Sequence, residues 1–252
     1  MIRLGIDIGG SGIKGVPINT ENGEIMGHRH RIDTPQPATP EAVAQTVAEM
    51  VNHFKWHGPV GCTMPSIVQH GVAKTASNIP AEWIGVNAEA LFKSKTGLDF
   101  KVINDADAAG MGELHFGAAN DHQGTVLLLT VGTGIGSALF CNGVLVPNTE
   151  FGHLLFADTI AEKYCGDRAR KDQKLKWPAW AERFNAYLAH LELLFSPDLF
   201  IIGGGIANKT EKYWDLLIAK AQLVPATLKN NAGIVGAAYA AREIPFSHHH
   251  EP

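Results

Sequence analysis

An α/β chain of two halves that open alike is what the sequence predicts, and three observations predict it. Short apolar runs that read as strands alternate with helical patterns along the 252 residues. DIGGSGIKG at 7–15 is matched by TVGTGIGSA at 130–138, so each half begins with a strand, a glycine-rich turn and a returning strand. The composition, 45% hydrophobic and 18% charged, supplies a real core for one large or two small domains. It excludes a disordered chain, a collagen-like repeat and a disulfide-stapled miniprotein.

The elements follow in order. IRLGIDI (2–8) is an apolar run ending in glycines, and GIKGVPI (12–18) reads as the strand that returns. Glu21-Asn22-Gly23 makes a turn, and EIMGHRHRI (24–32) completes an antiparallel meander. TPQPATP (34–40) is a proline-rich break. Thr39 then serves as an N-cap, with Pro40 and Glu41 in the first turn of a helix running to about Lys55. VGCTM (60–64) is a strand, AEALFKSKT (88–96) a helix, and FKVIND (100–105) a strand leading into the small-residue helix ADAAGMGELHF. In the second half, 125–132 and 135–140 are strands, and Asn142-Gly143 is a turn before VLVP. Residues 177–195 form the longest helix, 198–205 a strand ending in glycines, 209–222 a helix, and a last helix starts near Gly233.

Charge and cysteine usage narrow the function classes. With 21 basic against 25 acidic residues the net charge is −4, which gives no general attraction to nucleic acid or to an anionic membrane. Cys62, Cys141 and Cys165 are too few and too scattered for a disulfide framework or a structural zinc site. No basic leader or long apolar run opens the sequence, so a cytoplasmic protein is expected.

A glycine-rich turn between antiparallel strands presents backbone N–H groups in a concave nest suited to phosphate oxygens. It is neither a P-loop nor a dinucleotide fingerprint, because a strand rather than a helix follows each turn. Asp7 precedes the first turn. It is placed to hold Mg²⁺ directly or through water, or else to cap its own turn. Asn104-Asp105 ends a strand and opens a helix, where ligands bind in open α/β sheets. The ionised carboxylate of Asp105 suits a general base and equally suits a helix cap. Glu150 and His153 stand three apart after a turn, as a ligand pair or as ordinary surface polarity. Lys163, Arg168, Arg170, Lys171, Lys174 and Lys176 form a basic stretch broken only by Asp167 and Asp172. It reads as a solvated face or as a track for an extended polyanion.

Taken together, LGIDIGGSGIKG, TPQPATPEAV, NDADAAG, GTGIGSALF, LVPNTEFGH, LFIIGGG and NNAGIVGAA resemble, in this order, the motifs of the ROK-family sugar kinases. Within that family GSGIKG, TPQPATP and VPNTE resemble the branch that uses polyphosphate on glucose. The resemblance implies an α/β, actin-like (ribonuclease H-like) two-domain fold with a central cleft. It implies phosphoryl transfer to the 6-hydroxyl of glucose with Mg²⁺, from polyphosphate or ATP. Residues 1–104 would form one domain and 105–252 the other, the last helix packing back on the first.

Residue by residue, Asp105 is similar to the family's base, and Asn104, Glu150 and His153 to its sugar ligands, joined by Asn78 and Glu162. Gly9, Gly10, Gly12 and Lys14 match the first phosphate loop, and Thr133, Gly134 and Gly136 the second. Asp7 is the expected metal carboxylate, and Lys163, Arg168, Arg170, Lys171 and Lys174 the polyphosphate track. A homodimer is implied. Zinc is not expected, because Cys165 stands alone where many relatives carry a cysteine-rich motif. Ser66 replaces a family glycine and is expected to add a hydroxyl near the sugar. Leu155 replaces a glutamate. A transcription regulator is disfavoured, because no helix-turn-helix pattern precedes the first strand.

Overall fold

The first two strands are apolar and buried at most positions on both faces: Leu4, Ile6, Ile8, Ile13, Val16 and Ile18 carry the hairpin into the interior. The protein is described here by a computed structural model covering residues 1–76 and 79–245. Its contacts divide the chain into two units, residues 1–112 with the segment from Asn231 on, and residues 113–230.

In the first unit β1 (Ile2–Ile8) pairs antiparallel with β2 (Gly12–Asn19). The single strand expected over 24–32 is two pieces, β3 (Glu24–Ile25) and β4 (His30–Asp33), both paired with β2. Gly27 lies between them at φ 97°, a left-handed conformation that no extended strand can contain. α1 (Pro40–His53) starts where expected, with the Ala42 N–H donating to the Thr39 hydroxyl, and it buries Val43, Val47 and Met50. β5 (Val60–Met64) lies parallel to β1. A small hairpin of β6 (Val68–Gln69) and β7 (Val72–Ala73) follows. α2 (Ala88–Thr96) is capped by Asn87 and stopped by Gly97 at φ 74°. β8 (Phe100–Asn104) adds in parallel beside β5 and runs directly into α3 (Asp105–Phe116). The division between the units falls inside α3.

The second unit repeats the plan. β9 (Thr125–Val131) and β10 (Ile135–Cys141) form the hairpin, and β11 (Val144–Val146) extends it. A short hairpin, β12 (Leu155–Phe156) and β13 (Thr159–Ile160), leads to the small helices α4 (Ala161–Cys165) and α5 (Asp167–Asp172). α6 (Trp177–Phe195) covers the sheet with Trp180, Phe184, Tyr187, Leu188 and Leu191, all fully buried. β14 (Leu199–Gly203) and β15 (Gln222–Pro225) complete the sheet in parallel. The strand orders, β3-β2-β1-β5-β8 and β11-β10-β9-β14-β15, describe one topology twice.

The helix expected over 209–222 does not form. Short 3₁₀ turns occupy Gly204–Lys212 and Trp214–Leu216, and Lys209 is non-helical. The reason lies in α6, whose side chains bond the backbone groups that a helix would have paired internally. Asn185 donates to Leu216 O at 2.8 Å and accepts from the Ile218 N–H at 2.9 Å. Glu192 accepts from Lys220 and Ala221 N–H.

The chain then returns to the first unit as α7 (Ala232–Ala240), packed on β1 and β5. Its seat requires glycine. A Cβ on Gly61 would stand 1.7 Å from Ala237 O, and one on Gly236 1.7 Å from Ala108 O. Among the described residues no helix is long and apolar enough to cross a membrane.

Candidate functional site

In the first unit the candidate residues gather at the ends of β1, β5 and β8. Asp7 is held on both oxygens. Thr63 Oγ1 donates to Oδ1 at 2.9 Å, and Lys14 Nζ lies 3.2 Å from Oδ2. Thr63 faces Asp7 in the parallel register of β1 and β5, and its hydroxyl also accepts the Ile8 N–H. The Gly9–Gly12 turn closes on itself through Gly9 N–H to Gly12 O at 3.1 Å, leaving Gly10 and Ser11 exposed. Thr34 ties the turn down by donating its hydroxyl to Gly9 O at 2.6 Å.

Asp7 is one carboxylate beside a phosphate-type turn. Mg²⁺ takes such a donor set where water and phosphate oxygens supply the other ligands, so the residues present fit it. Among the described residues no group of three or more His, Cys, Asp or Glu could hold a metal ion.

Asn104 and Asp105 sit at the junction of β8 and α3. Asn104 is buried. Its amide donates to Ser66 O at 3.1 Å, and its Oδ1 accepts the Ala106 and Asp107 N–H groups. Asn104 thus performs the capping, although Asp105 Oδ1 also receives the Ala106 N–H at 2.8 Å. Asp105 is left exposed at the start of the helix. Around Gly233 of α7, an added Cβ would meet Thr63 Cγ2, Asp7 Oδ1 and the backbone carbonyl of Asp105 at 3.8–4.0 Å, so the Asp7 carboxylate and the start of α3 both lie beside this glycine. Asn78 lies outside the described residues.

Ser66 does not offer its hydroxyl as expected. It is 4% exposed and donates to Ile67 O and Thr75 O, while its carbonyl steadies Asn104. Nearby, a pocket of about 310 Å³ is lined by Gly9, Gly10, Gln36, Pro65 and Trp83 among others. Trp83 Nε1 donates to Ala38 O at 2.9 Å and so fastens the proline-rich segment along it.

In the second unit Glu150, His153 and Glu162 come together. His153 Nδ1 is 3.1 Å from Glu150 Oε2, and Nε2 is 3.9 Å from Glu162 Oε1. Ser137 of β10 sets this turn, accepting the Phe151 N–H and donating to Thr149 O. Gly152 is packed so closely on β10 that a Cβ would lie 2.0 Å from Ile135 O. Glu162 also receives the Ile135 N–H, which joins it to the turn carrying Thr133, Gly134 and Gly136. Burial pushes the Glu150 carboxyl above its usual range. His153 opposes the shift, and Glu162 adds to it. Leu155 is 84% exposed.

The basic stretch is only partly open. Arg170 and Lys171 bind buried Asp167 at 2.8 and 2.7 Å, and Arg168 pairs with Asp172. Burial works to raise the Asp167 carboxyl, but the bonds from Lys171 and Arg170 outweigh it and hold the group below its usual value. Lys163 and Lys174 are exposed. Cys165 donates to Ala161 O, and burial pushes its thiol up to about 12.

Sequence reasoning passed over Thr63, the positioning role of Ser137 and the pocket at Trp83. Only Thr63 left a usable signal, as a hydroxyl at the C-terminal end of a strand that neighbours Asp7.

The ROK family model matches residues 3–175. Over 239 residues the chain is 48% identical to the polyphosphate glucokinase of Mycobacterium tuberculosis, covering 94% of this chain and 90% of the relative. The crystal structure of an inorganic polyphosphate/ATP-glucomannokinase from Arthrobacter sp. strain KM matches with a TM-score of 0.87 at 45% identity, covering 94% and 96% of the two chains. A Streptomyces griseus ROK family glucokinase, solved with glucose and AMPPNP, matches with a TM-score of 0.80 at 25% identity over 96% and 99%.

Proposed function

The chain belongs to the ROK family, its fold is the actin-like α/β fold of those sugar kinases, and on that footing we propose that it transfers the terminal phosphoryl group of inorganic polyphosphate to the 6-hydroxyl of glucose. The 48% identity to a polyphosphate glucokinase across 94% of the chain carries this reading.

Asp105 takes the proton of the attacking hydroxyl. Its exposed carboxylate at the start of α3, with Asn104 doing the capping, supports that role. Asn78, Asn104, Glu150, His153 and Glu162 hydrogen-bond the sugar hydroxyls. Analogues that leave such polar groups unpaired are rejected. Gly9, Gly10, Gly12 and Lys14, with Thr133, Gly134 and Gly136, orient the donor phosphates, the two turns through the backbone N–H groups they leave open and Lys14 through its charge, while the Gly9 N–H closes its own turn on Gly12 O. Asp7 would hold Mg²⁺, which supplies neutralisation of phosphate charge when bound. Lys163, Arg168, Arg170, Lys171 and Lys174 extend the donor site for a long anion, and the exposed Lys163 and Lys174 are its most available cations. The protein works in the cytoplasm as a homodimer.

A second reading, that ATP and mannose also serve, is favoured by one observation. The Arthrobacter structure at 45% identity is named for both donors and for both sugars.

Asp105→Asn tests the mechanism, because asparagine keeps a helix-capping oxygen and removes only the base. The expected result is a kcat at least ~10²-fold lower with the glucose KM within a few fold of wild type. A kcat near wild type would remove Asp105 from its role.

A further inference from the structure

Arg31 lies on the first glycine turn and has no role in the reading above. In the sheet register Asp7 stands opposite Lys14, and Lys14 stands opposite Arg31. Directly paired residues on neighbouring strands share a face, so Asp7, Lys14 and Arg31 form one row across β1, β2 and β4. The Arg31 guanidinium crosses β2 at Gly12, where an added Cβ would meet its Nε at 2.5 Å. Beyond Gly12 its Nη2 donates to Ser11 O, inside the turn, at 2.7 Å. The neighbouring Thr34 fastens the end of β4 to the same turn, so the guanidinium is carried on a supported element.

Arg31 has capacity to bind more. Its Nη1 donates to Asp33 Oδ1 at 2.6 Å, and that acid is 84% exposed. An ion pair with so exposed a partner contributes little and yields readily to a stronger anion. A guanidinium carries five N–H donors in a planar fork that matches phosphate oxygens. The Arg31 side chain is about half exposed. The position contrasts with Arg170 and Lys171, whose charge is answered by buried Asp167. Arg29 continues the basic character of this segment, its Nη1 lying 3.3 Å from Asn231 Oδ1.

We propose that Arg31 is a donor-binding residue that, together with Lys14, holds phosphate groups of a polyanionic donor beside the Gly9–Gly12 turn. The proposal rests on the reading of that turn as a phosphate site. It deepens that reading by giving the first unit its own cationic subsite, separate from the 163–176 stretch.

Direct binding of inorganic polyphosphate, measured without sugar across a range of salt concentrations, tests it in wild type, Arg31→Gln and Arg31→Lys. Glutamine keeps an amide N–H donor on a shorter side chain but carries no charge. Lysine keeps the charge and loses the fork. Arg31→Gln should raise the Kd about tenfold at low salt and lower the slope of log Kd against log salt by roughly one, with Arg31→Lys keeping the wild-type slope. Unchanged Kd and slope in Arg31→Gln would overturn the proposal. Equal weakening of both variants with an unchanged slope would overturn it too, since that is the pattern of a residue that only braces the turn. Glucose 6-phosphate formation is recorded separately. If wild type makes product from polyphosphate while Arg31→Gln binds normally, the proposal alone fails. If wild type binds no polyphosphate, the donor reading fails with it.

Discussion

Glu150 shows how one carboxylate can be read through its surroundings. Its burial favours the neutral acid, and His153 only partly offsets that. The folded protein therefore holds a proton on Glu150 above the ordinary 4.5, where the unfolded chain has released it. The stability gained from this is full below the ordinary value and is lost as pH rises through the raised one. Urea midpoints measured from about pH 4 to about pH 7 should fall more steeply with pH in wild type than in Glu150→Gln. Parallel profiles would show that the burial of Glu150 carries no linkage. Ser66 is a residue whose outcome differs from its expectation. A sequence shows that a hydroxyl replaces glycine, but not that Thr75 and Ile67 carbonyls are waiting to accept from it. Thr63 likewise becomes visible only when the register of β1 and β5 sets it against Asp7.

Among the elements, those with strong local signals were readable from the sequence. The Thr39-Pro40-Glu41 start of α1, the 88–96 span of α2 and the nineteen-residue pattern of α6 fall where the sequence pattern puts them. The strand expected over 24–32 breaks for a local reason, Gly27 at φ 97°, whereas the helix expected over 209–222 fails where distant side chains override local preference. The segment 209–222 has a helical pattern, but Asn185 and Glu192 bond its backbone in another conformation. β15 then forms against β14, a pairing that only the finished sheet provides. α7 offers a test in which local and tertiary effects have opposite signs. Alanine replacing glycine within an exposed helix stabilises by about 0.8–1 kcal/mol. Gly236→Ala should instead destabilise by about 1–3 kcal/mol, because its Cβ meets the Ala108 carbonyl. Chemical denaturation measures the difference, and a stabilised variant would show that α7 does not sit this closely on α3.

For the whole molecule, the repeated glycine turn announces two sheets of one topology, and the strand orders agree. Most candidate site residues could be singled out because they lie at strand ends and glycine-rich turns, where ligands bind in open α/β sheets. What the sequence could not supply was convergence: that Glu162 reaches both His153 and the second glycine turn, or that the Asp7 carboxylate and the start of α3 both lie beside Gly233. The proposed chemistry joins these parts through a single reaction, and one assay addresses it. Purified protein with glucose and Mg²⁺ is given polyphosphate or ATP at equal terminal-phosphate concentration, and glucose 6-phosphate is measured. Product should form from polyphosphate with the higher kcat/KM of the two donors. No glucose 6-phosphate from polyphosphate, with or without activity on ATP, would refute polyphosphate-dependent glucose phosphorylation as the function of this chain.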